Sequence, residues 1–158
     1  MSDPRPPALD PATVEPLTNT GYPEPFRLAV AGRARRRIGK ALGLTRFGVN
    51  LTQLAPGAAS SQRHWHSHDE EFVYVVEGEL VLVTDAGEQV LRAGMAAGFP
   101  AGRPDGHQLV NRSDRPAVYL EVGTDEEQDH AVYSDIDMEC RPQPGGGFAY
   151  VHKDGTPW

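Results

Sequence analysis

Apolar and polar residues alternate along the middle of the chain, and this alternation predicts strands. Residues 47–54 show it most clearly, because Phe47 and Val49 fall on one parity while Asn50 and Thr52 fall on the other. Period-two alternation is typical of a half-buried strand. Similar stretches, separated by turns rich in Gly, Asp and Asn, predict strands at residues 62–66, 71–76, 79–84, 88–91, 96–99, 108–111 and 117–122. Short strands in regular succession, without intervening helices, predict an all-β sandwich or barrel.

The amino-terminal part of the chain does not continue this pattern. Six prolines among the first 24 residues predict an extended arm, because proline lacks an amide donor and fixes φ. Residues 26–30 predict a first strand. Residues 32–44 predict one short helix or a loop, with Ala34 and Ile38 on a shared apolar face. The basic segment 33–40 is typical of a solvated surface, and the alternative is an edge that binds phosphate or carboxylate groups.

The carboxyl-terminal part begins with an acidic stretch and then regains strand character. Residues 131–135 and 147–152 predict two strand-like pieces, joined by a flexible link at 141–147. The predicted parts are an arm with a basic short helix or loop (1–46), a β core (47–123) and a C-terminal extension (124–158). Because open sheet edges are usually covered or paired, we expect the extension to pack on the core or on a second subunit.

Composition narrows the class of protein. The length of 158 residues suits one domain with a real core. The net charge of −7 argues against general nucleic-acid binding, and no apolar run is long enough to suggest a membrane span. Cys140 is the single cysteine, so no internal disulfide can form. Since the start of the chain also lacks an apolar signal core, the sequence predicts a cytoplasmic location.

Three metal-ligating side chains stand near the start of the core. His64 and His66 are two residues apart on a predicted strand, so their side chains point to the same side. Four residues separate His66 from Glu71, which is enough for a turn that brings the carboxylate back beside the imidazoles. Such donors suit one divalent transition metal, and they do not choose among Fe, Mn, Ni, Co and Zn. A later histidine would complete a four-ligand site.

Two blocks bounded by glycines contain these residues and that histidine. The first block reads Gly, then HxH, a glutamate and a closing Gly, at Gly57, His64, His66, Glu71 and Gly78. The second block has Gly, then PxG, a histidine and an asparagine, at Gly94, Pro100, Gly102, His107 and Asn111. Together they resemble the two motifs of the cupin superfamily, over roughly the central half of the chain. Each motif occurs once, as in one-cupin proteins.

Three positions depart from the cupin pattern. Gly57 is one residue further from the HxH than usual, and Met95 stands where an aspartate is common. Two extra residues within 103–106 lengthen the loop before His107. None of these departures removes a ligand.

The resemblance implies a double-stranded β-helix, or jelly-roll barrel, with at most one short helix. It implies that His64, His66, Glu71 and His107 hold the metal and leave coordination positions open, as catalytic sites do. It also implies a small-molecule ligand and, because cupin relatives are commonly dimers, a homodimer.

Strand parity and proximity extend the predicted site. Val73 and Val75 share the parity of Glu71 and are expected to line the interior. Phe99 and Leu109 are predicted pocket walls, and Arg63 a predicted anion contact. The opposite parity of the same strand is predicted to pack as core against the other layer, at Phe72, Tyr74 and Val76.

Fold alone does not decide function, so several functions stay open. The resemblance implies a metal-dependent enzyme acting on a small polar molecule, either dioxygenase-like or sugar-phosphate-isomerase-like. The alternatives are a non-catalytic binding or sensing module and a storage-type cupin without metal. The complete set of three histidines and a glutamate argues against the last of these.

Overall fold

Strands make up most of the regular structure of the computed structural model, which describes residues 7–158. They are β1 (Arg33–Arg36), β2 (Phe47–Leu54), β3 (His64–His66), β4 (Glu71–Glu77), β5 (Glu79–Thr84), β6 (Gly87–Arg92), β7 (Ala96–Phe99), β8 (Gln108–Val110), β9 (Ala117–Thr124), β10 (Ala131–Tyr133), β11 (Glu139–Pro142) and β12 (Phe148–Val151). One short helix, α1 (Ile38–Ala41), and two 3-10 turns, Pro11–Thr13 and Phe26–Val30, complete the described elements. The all-β prediction is confirmed. The first six residues of the proline-rich arm lie outside the described residues.

The largest sheet has five antiparallel strands in the order β1-β2-β9-β4-β7. Strands β2 and β9 pair over their full lengths, from Phe47 opposite Thr124 to Leu54 opposite Ala117. One parity of this sheet faces the interior, where Leu54, Val75 and Tyr119 are fully buried. Within residues 7–158, no helix combines the length and the apolar character needed to cross a membrane.

Two smaller sheets complete the fold, in the orders β6-β5-β8 and β12-β11-β10-β3. The main core joins the first of them to the five-stranded sheet, with Leu80 and Leu82 packed in one cluster with Leu54 and Val75. Full burial of each such side chain contributes about 1.5–3 kcal/mol. A second cluster joins the arm to the C-terminal extension through Tyr22, Val30, Tyr133 and Met138.

The C-terminal extension positions the predicted ligands. Strand β10 pairs with β3, so Ala131 lies opposite His66 and Tyr133 opposite His64. The extension therefore continues the sheet that carries the HxH sequence, within the same chain.

The amino-terminal elements differ from their predictions. Phe26–Val30 is a 3-10 turn, not a strand, because i→i+3 bonds such as the one from Phe26 N to Pro23 O satisfy its backbone locally. The basic segment forms strand β1 before the short helix, where a helix or loop was predicted. Its arginines give no period-two signal, but the edge of β2 offers backbone partners from Leu51 to Leu54.

The C-terminal extension also contains a strand that was not predicted. Strand β11 overlaps the start of the predicted flexible link and pairs with both β10 and β12. Its sequence, ECRP, carries no alternation, so only its neighbours make it a strand.

The outer face of β4 contradicts the prediction that it packs as core. Phe72, Tyr74 and Val76 are 43%, 40% and 50% exposed. Among residues 7–158, no second layer covers the outer face of β4. Val122, next to Phe72 on β9, extends the apolar surface.

Candidate metal centre and cavity

Strand β3 presents both histidines of the HxH sequence to one side, as its extended backbone requires. A hydrogen bond at Nδ1, the ring nitrogen that points away from the other histidine, fixes the orientation of each imidazole. His64 Nδ1 lies 2.8 Å from the carbonyl oxygen of Gln62, and His66 Nδ1 lies 2.6 Å from Asp129 Oδ2. Because both acceptors lack a proton at neutral pH, each Nδ1 carries the hydrogen and donates it. In the neutral form of each ring, Nε2 therefore keeps a free lone pair.

These two lone pairs face each other. The Nε2 atoms of His64 and His66 are 3.1 Å apart. Two unprotonated nitrogens repel at that distance unless a cation lies between them. The arrangement of the two acceptors, Gln62 O and Asp129, thus leaves a gap suited to a positive ion.

Glu71, at the start of β4, places its carboxylate beside the two imidazoles. Its Oε2 lies 3.4 Å from His66 Nε2 and 3.7 Å from His64 Nε2. Donors held at about 2.1 Å from one ion stand about 3.0 Å apart in octahedral geometry and about 3.4 Å apart in tetrahedral geometry. The observed separations fall near these values, so the three side chains fit a transition metal.

His107 stands outside the cluster that His64, His66 and Glu71 form within 4.8 Å, but it approaches Glu71 from the loop before β8. Its Nε2 lies 2.7 Å from Glu71 Oε2, and its ring stacks on Phe99 with centroids 3.6 Å apart. Backbone bonds tie it to the HxH strand, from His107 N to His64 O at 2.8 Å and back at 3.2 Å. The longer loop therefore does not turn the imidazole away, because the pairing with β3 fixes its backbone.

Glycine at position 106 makes that pairing possible. A Cβ there would overlap the Ser134 hydroxyl and lie 3.0 Å from Ser134 Cβ. The loop insertion thus brings the backbone at position 106 against the Ser134 side chain, where a residue larger than glycine would force that side chain to shift.

The electrostatics favour the protonation states that a cation needs at His64 and Glu71, but not at His66. Burial lowers the pKa of His64 to about 4, against the attraction of Glu71. Burial also opposes protonation of His66, but Asp129 and Glu71 leave its pKa raised. Burial alone would raise the pKa of Glu71, yet the surrounding histidines lower it to about 2. Glu71 is thus ionised and His64 neutral near pH 7, as metal ligation requires.

Asp129 is a site residue that sequence reasoning missed. It is 3% exposed, and its Oδ1 accepts hydrogen bonds from the amides of His68 and Asp69 at 2.8 and 3.0 Å. The hydroxyl of Ser67 adds a third, at 3.2 Å. Its position, 63 residues after His66 and outside both motifs, gives no signal in the sequence.

A cavity of about 410 Å³ opens beside the histidines and the glutamate. Of the predicted pocket residues, Val73, Phe99 and Leu109 line it. Val75 is buried in the core behind the wall. Arg63 is not among the lining residues in the described part of the chain, because it bonds to Asp85, Asp135 and the Gly106 carbonyl.

Among the further polar residues of the cavity wall, four come from the five-stranded sheet, and sequence reasoning did not select them individually as site residues. They are Arg33 and Arg35 of β1 and Tyr119 and Glu121 of β9. Alternation along β9 could have indicated Tyr119 and Glu121, since both share the parity of Ala117. The arginines face inwards only because β1 pairs with β2, which no local pattern predicts.

Comparisons with known proteins agree with this geometry. The Cupin_2 model, described as a cupin domain, matches residues 50–123. A solved structure from Silicibacter pomeroyi, described as a sugar phosphate isomerase from a cupin superfamily, is 49% identical, with 96% of each chain covered and a TM-score of 0.92. A candidate sugar phosphate isomerase from Acidithiobacillus ferrooxidans is 27% identical over 81% of this chain and 82% of that chain, with a TM-score of 0.72. No curated protein matches the chain.

The chain therefore belongs to the cupin superfamily, and its fold is the cupin jelly-roll barrel. The similarity to the Silicibacter protein extends beyond the cupin domain into the arm and the C-terminal extension. The polyketide cyclase RemF from Streptomyces resistomycificus shares the fold at 22% identity, with 75% of this chain and 79% of that chain covered and a TM-score of 0.61.

Proposed function

We propose that the protein is a metal-dependent enzyme that isomerises a small phosphorylated sugar. The observation that carries this proposal is the convergence of two imidazole nitrogens and a carboxylate on the wall of a polar cavity. The 49% identity to a protein described as a sugar phosphate isomerase favours this reaction over the dioxygenase-like alternative.

His64, His66 and Glu71 would hold the ion, with His107 as the fourth ligand beside Glu71. A divalent ion there, whether Fe, Mn, Ni, Co or Zn, would polarise a carbonyl oxygen and stabilise the charge that develops on it. Asp129 orients the His66 ring, while Phe99 supports the ring of His107.

Interconversion of an aldose and a ketose moves one proton between neighbouring carbons and a second from the hydroxyl oxygen to the former carbonyl oxygen, and it needs no external oxidant. Glu71 and Glu121 are the carboxylates of the cavity wall among the described residues. Because Glu71 is committed to the histidines, Glu121 is the base that takes the proton from one carbon and returns it to the other. Its Oε1 accepts a hydrogen bond from Asn50 Nδ2 at 2.9 Å, which fixes its direction.

Metal analysis tests the first half of the proposal. We expect about one transition metal per chain in the purified protein, and loss of that metal in His64→Ala and His66→Ala. His152→Ala, which changes a half-buried histidine that contacts Asp137 and is not in the cluster, serves as the matched control. Wild-type protein that takes up no transition metal on reconstitution would contradict the assignment.

Turnover tests the second half. Metal-loaded protein is incubated with aldose phosphates in D2O, and ketose formation and deuterium incorporation are followed by NMR. Glu121→Gln should lower the rate by about 10²–10⁴-fold, the usual contribution of a general base. Oxygen uptake without isomerisation would instead indicate a dioxygenase, and ligand binding without turnover a sensing module.

The homodimer and the cytoplasmic location stay predictions. The exposed apolar face of the five-stranded sheet supports the first, because such surfaces on folded proteins commonly mark interfaces. The single cysteine supports the second.

A further inference from the structure

We infer that Arg33, Arg35 and Tyr119 form an anion subsite that takes the phosphate group of the substrate. This inference rests on the proposed function and adds the residues that would select a phosphorylated ligand. We call these three residues the phosphate subsite.

Strand pairing places the two arginines in the cavity. Arg33 pairs with Leu54 and Arg35 with Thr52, so both share the inward parity of β1. Backbone bonds between Leu17 and Arg35, at 2.8 and 2.9 Å, hold the outer edge of this strand. The guanidinium groups are thus carried by a paired strand, which positions them more firmly than a free loop would.

The positive charge of the phosphate subsite is not balanced by the chain. Arg35 Nε lies 2.6 Å from Glu121 Oε1, so one of the two cations has an anionic neighbour. Arg33 makes no ion pair within residues 7–158, and its Nη1 donates to the carbonyl of Ser60 at 2.6 Å. Burial and the nearby Arg35 lower the pKa of Arg33, which means that its charge is unfavourable where it stands. Buried charges are normally paired, and a bound anion would supply the missing partner.

Tyr119 offers a donor at the same place. Its side chain is fully buried, and its hydroxyl, which has the Glu121 side chain beside it, makes no hydrogen bond of regular geometry among the described residues. Thr52 of β2 pairs with Tyr119 on one side and with Arg35 on the other. A phosphate oxygen at this point could accept from the phenol and from a guanidinium together, and guanidinium groups bind phosphate in a bidentate manner.

The distance to the metal centre suits a sugar phosphate. Glu121 pairs with Val73, two residues along β4 from Glu71. Glu121 is therefore about 7 Å along the strand from Glu71, and Tyr119, which pairs with Val75, is about 13 Å from it. The Arg35 side chain reaches back towards Glu71, since its Nε lies beside Glu121. A substrate with its carbonyl near Glu71 and its phosphate beside Arg35 would therefore span the cavity.

Calorimetric titration with inorganic phosphate tests the subsite directly. Wild-type protein should bind phosphate both with metal and after chelation. Arg33→Met should weaken binding at least tenfold, Arg33→Lys less, and Tyr119→Phe by a few fold, since it removes only the hydroxyl. Arg36→Met, on the outward parity of β1, is the matched control and should bind like wild type.

Metal content of each variant separates the two proposals. Unchanged metal in Arg33→Met with lost phosphate binding supports the subsite. Phosphate binding by Arg33→Met and Tyr119→Phe at wild-type affinity overturns it, even if the metal centre and turnover are intact. Wild-type protein that binds malonate but not phosphate also overturns it. The converse result is a wild-type protein that holds no metal while Arg33→Met still loses phosphate binding. That result supports the subsite and contradicts the enzyme proposal.

Discussion

Asp129→Asn isolates the contribution of a buried carboxylate to the metal centre. The substitution keeps the size of the side chain and an oxygen that can accept from the amides of His68 and Asp69. It replaces Oδ2, which accepts from His66 Nδ1, with an NH2 group. If the amide is flipped instead, the NH2 group meets the two backbone donors. Either orientation places a donor against a donor.

The least costly response is a change of tautomer at His66. Its hydrogen then moves to Nε2, the atom that faces His64 at 3.1 Å, and that nitrogen can no longer bind a metal. Before a metal can bind, the hydrogen has to return from Nε2 to Nδ1, and the free energy of that return weakens metal binding. Loss of such an outer partner typically costs about 10–100-fold in metal affinity, which corresponds to about 1.4–2.7 kcal/mol.

The assay is competition of the apo protein with a metal-binding indicator at pH 7.5. Thermal unfolding in the presence of a chelator is followed in parallel, because loss of a charge-assisted hydrogen bond also lowers stability, by about 1.5–3 kcal/mol. Asp125→Asn, an exposed residue of the same segment, is the control and should match wild type in both assays.

Folded Asp129→Asn protein with wild-type metal affinity would refute the reasoning about the His66 tautomer. Asp129→Glu provides a second measurement, since it restores the charge with a displaced oxygen and should bind metal better than Asp129→Asn. An equal loss in both variants would assign Asp129 to the turn at residues 67–69 and not to the imidazole.

Three further predictions concern other parts of the chain. Gly106→Ala should lower the unfolding free energy by about 1–3 kcal/mol and weaken metal binding, because the new methyl group overlaps Ser134 and displaces His107; wild-type melting and metal affinity would contradict this. Burial raises the pKa of the Cys140 thiol to about 11. Thiol labelling at pH 8 should therefore be about 100-fold slower in the folded than in the urea-unfolded protein, and the labelling rate of the folded protein should keep rising up to about pH 11. Equal rates at pH 8 would contradict this. Phe72→Ser should shift light-scattering mass from dimer towards monomer, and a wild-type monomer at all concentrations would exclude the dimer.

Some elements could be predicted because their signal is local. The alternation of residues 47–54, and the turn signals that bound residues 79–84 and 96–99, predicted strands with the bounds that the structure shows. Strand periodicity also placed His64 and His66 on one side, and the turn after them returned Glu71 to within 3.7 Å of both. The cupin family, predicted from the two motifs, is confirmed.

Other features could not be predicted because they depend on pairing between distant segments. Arg33–Arg36 has no alternation of its own, and becomes a strand only beside β2. The outward parity of β4 has the same apolar character as the inward one, so composition alone could not show that Phe72 is exposed.

The sequence by itself predicted most strands of the core and the placement of His64 and His66 on one side with Glu71 beside them, since these follow from spacing along an extended backbone. Only the tertiary structure decided what surrounds them. It set Asp129 behind His66, turned two arginines and Tyr119 into the cavity, and fixed His107 through its pairing with His64. The physical reason is that contacts between residues far apart in sequence depend on how the sheets pack, and packing is a property of the whole chain.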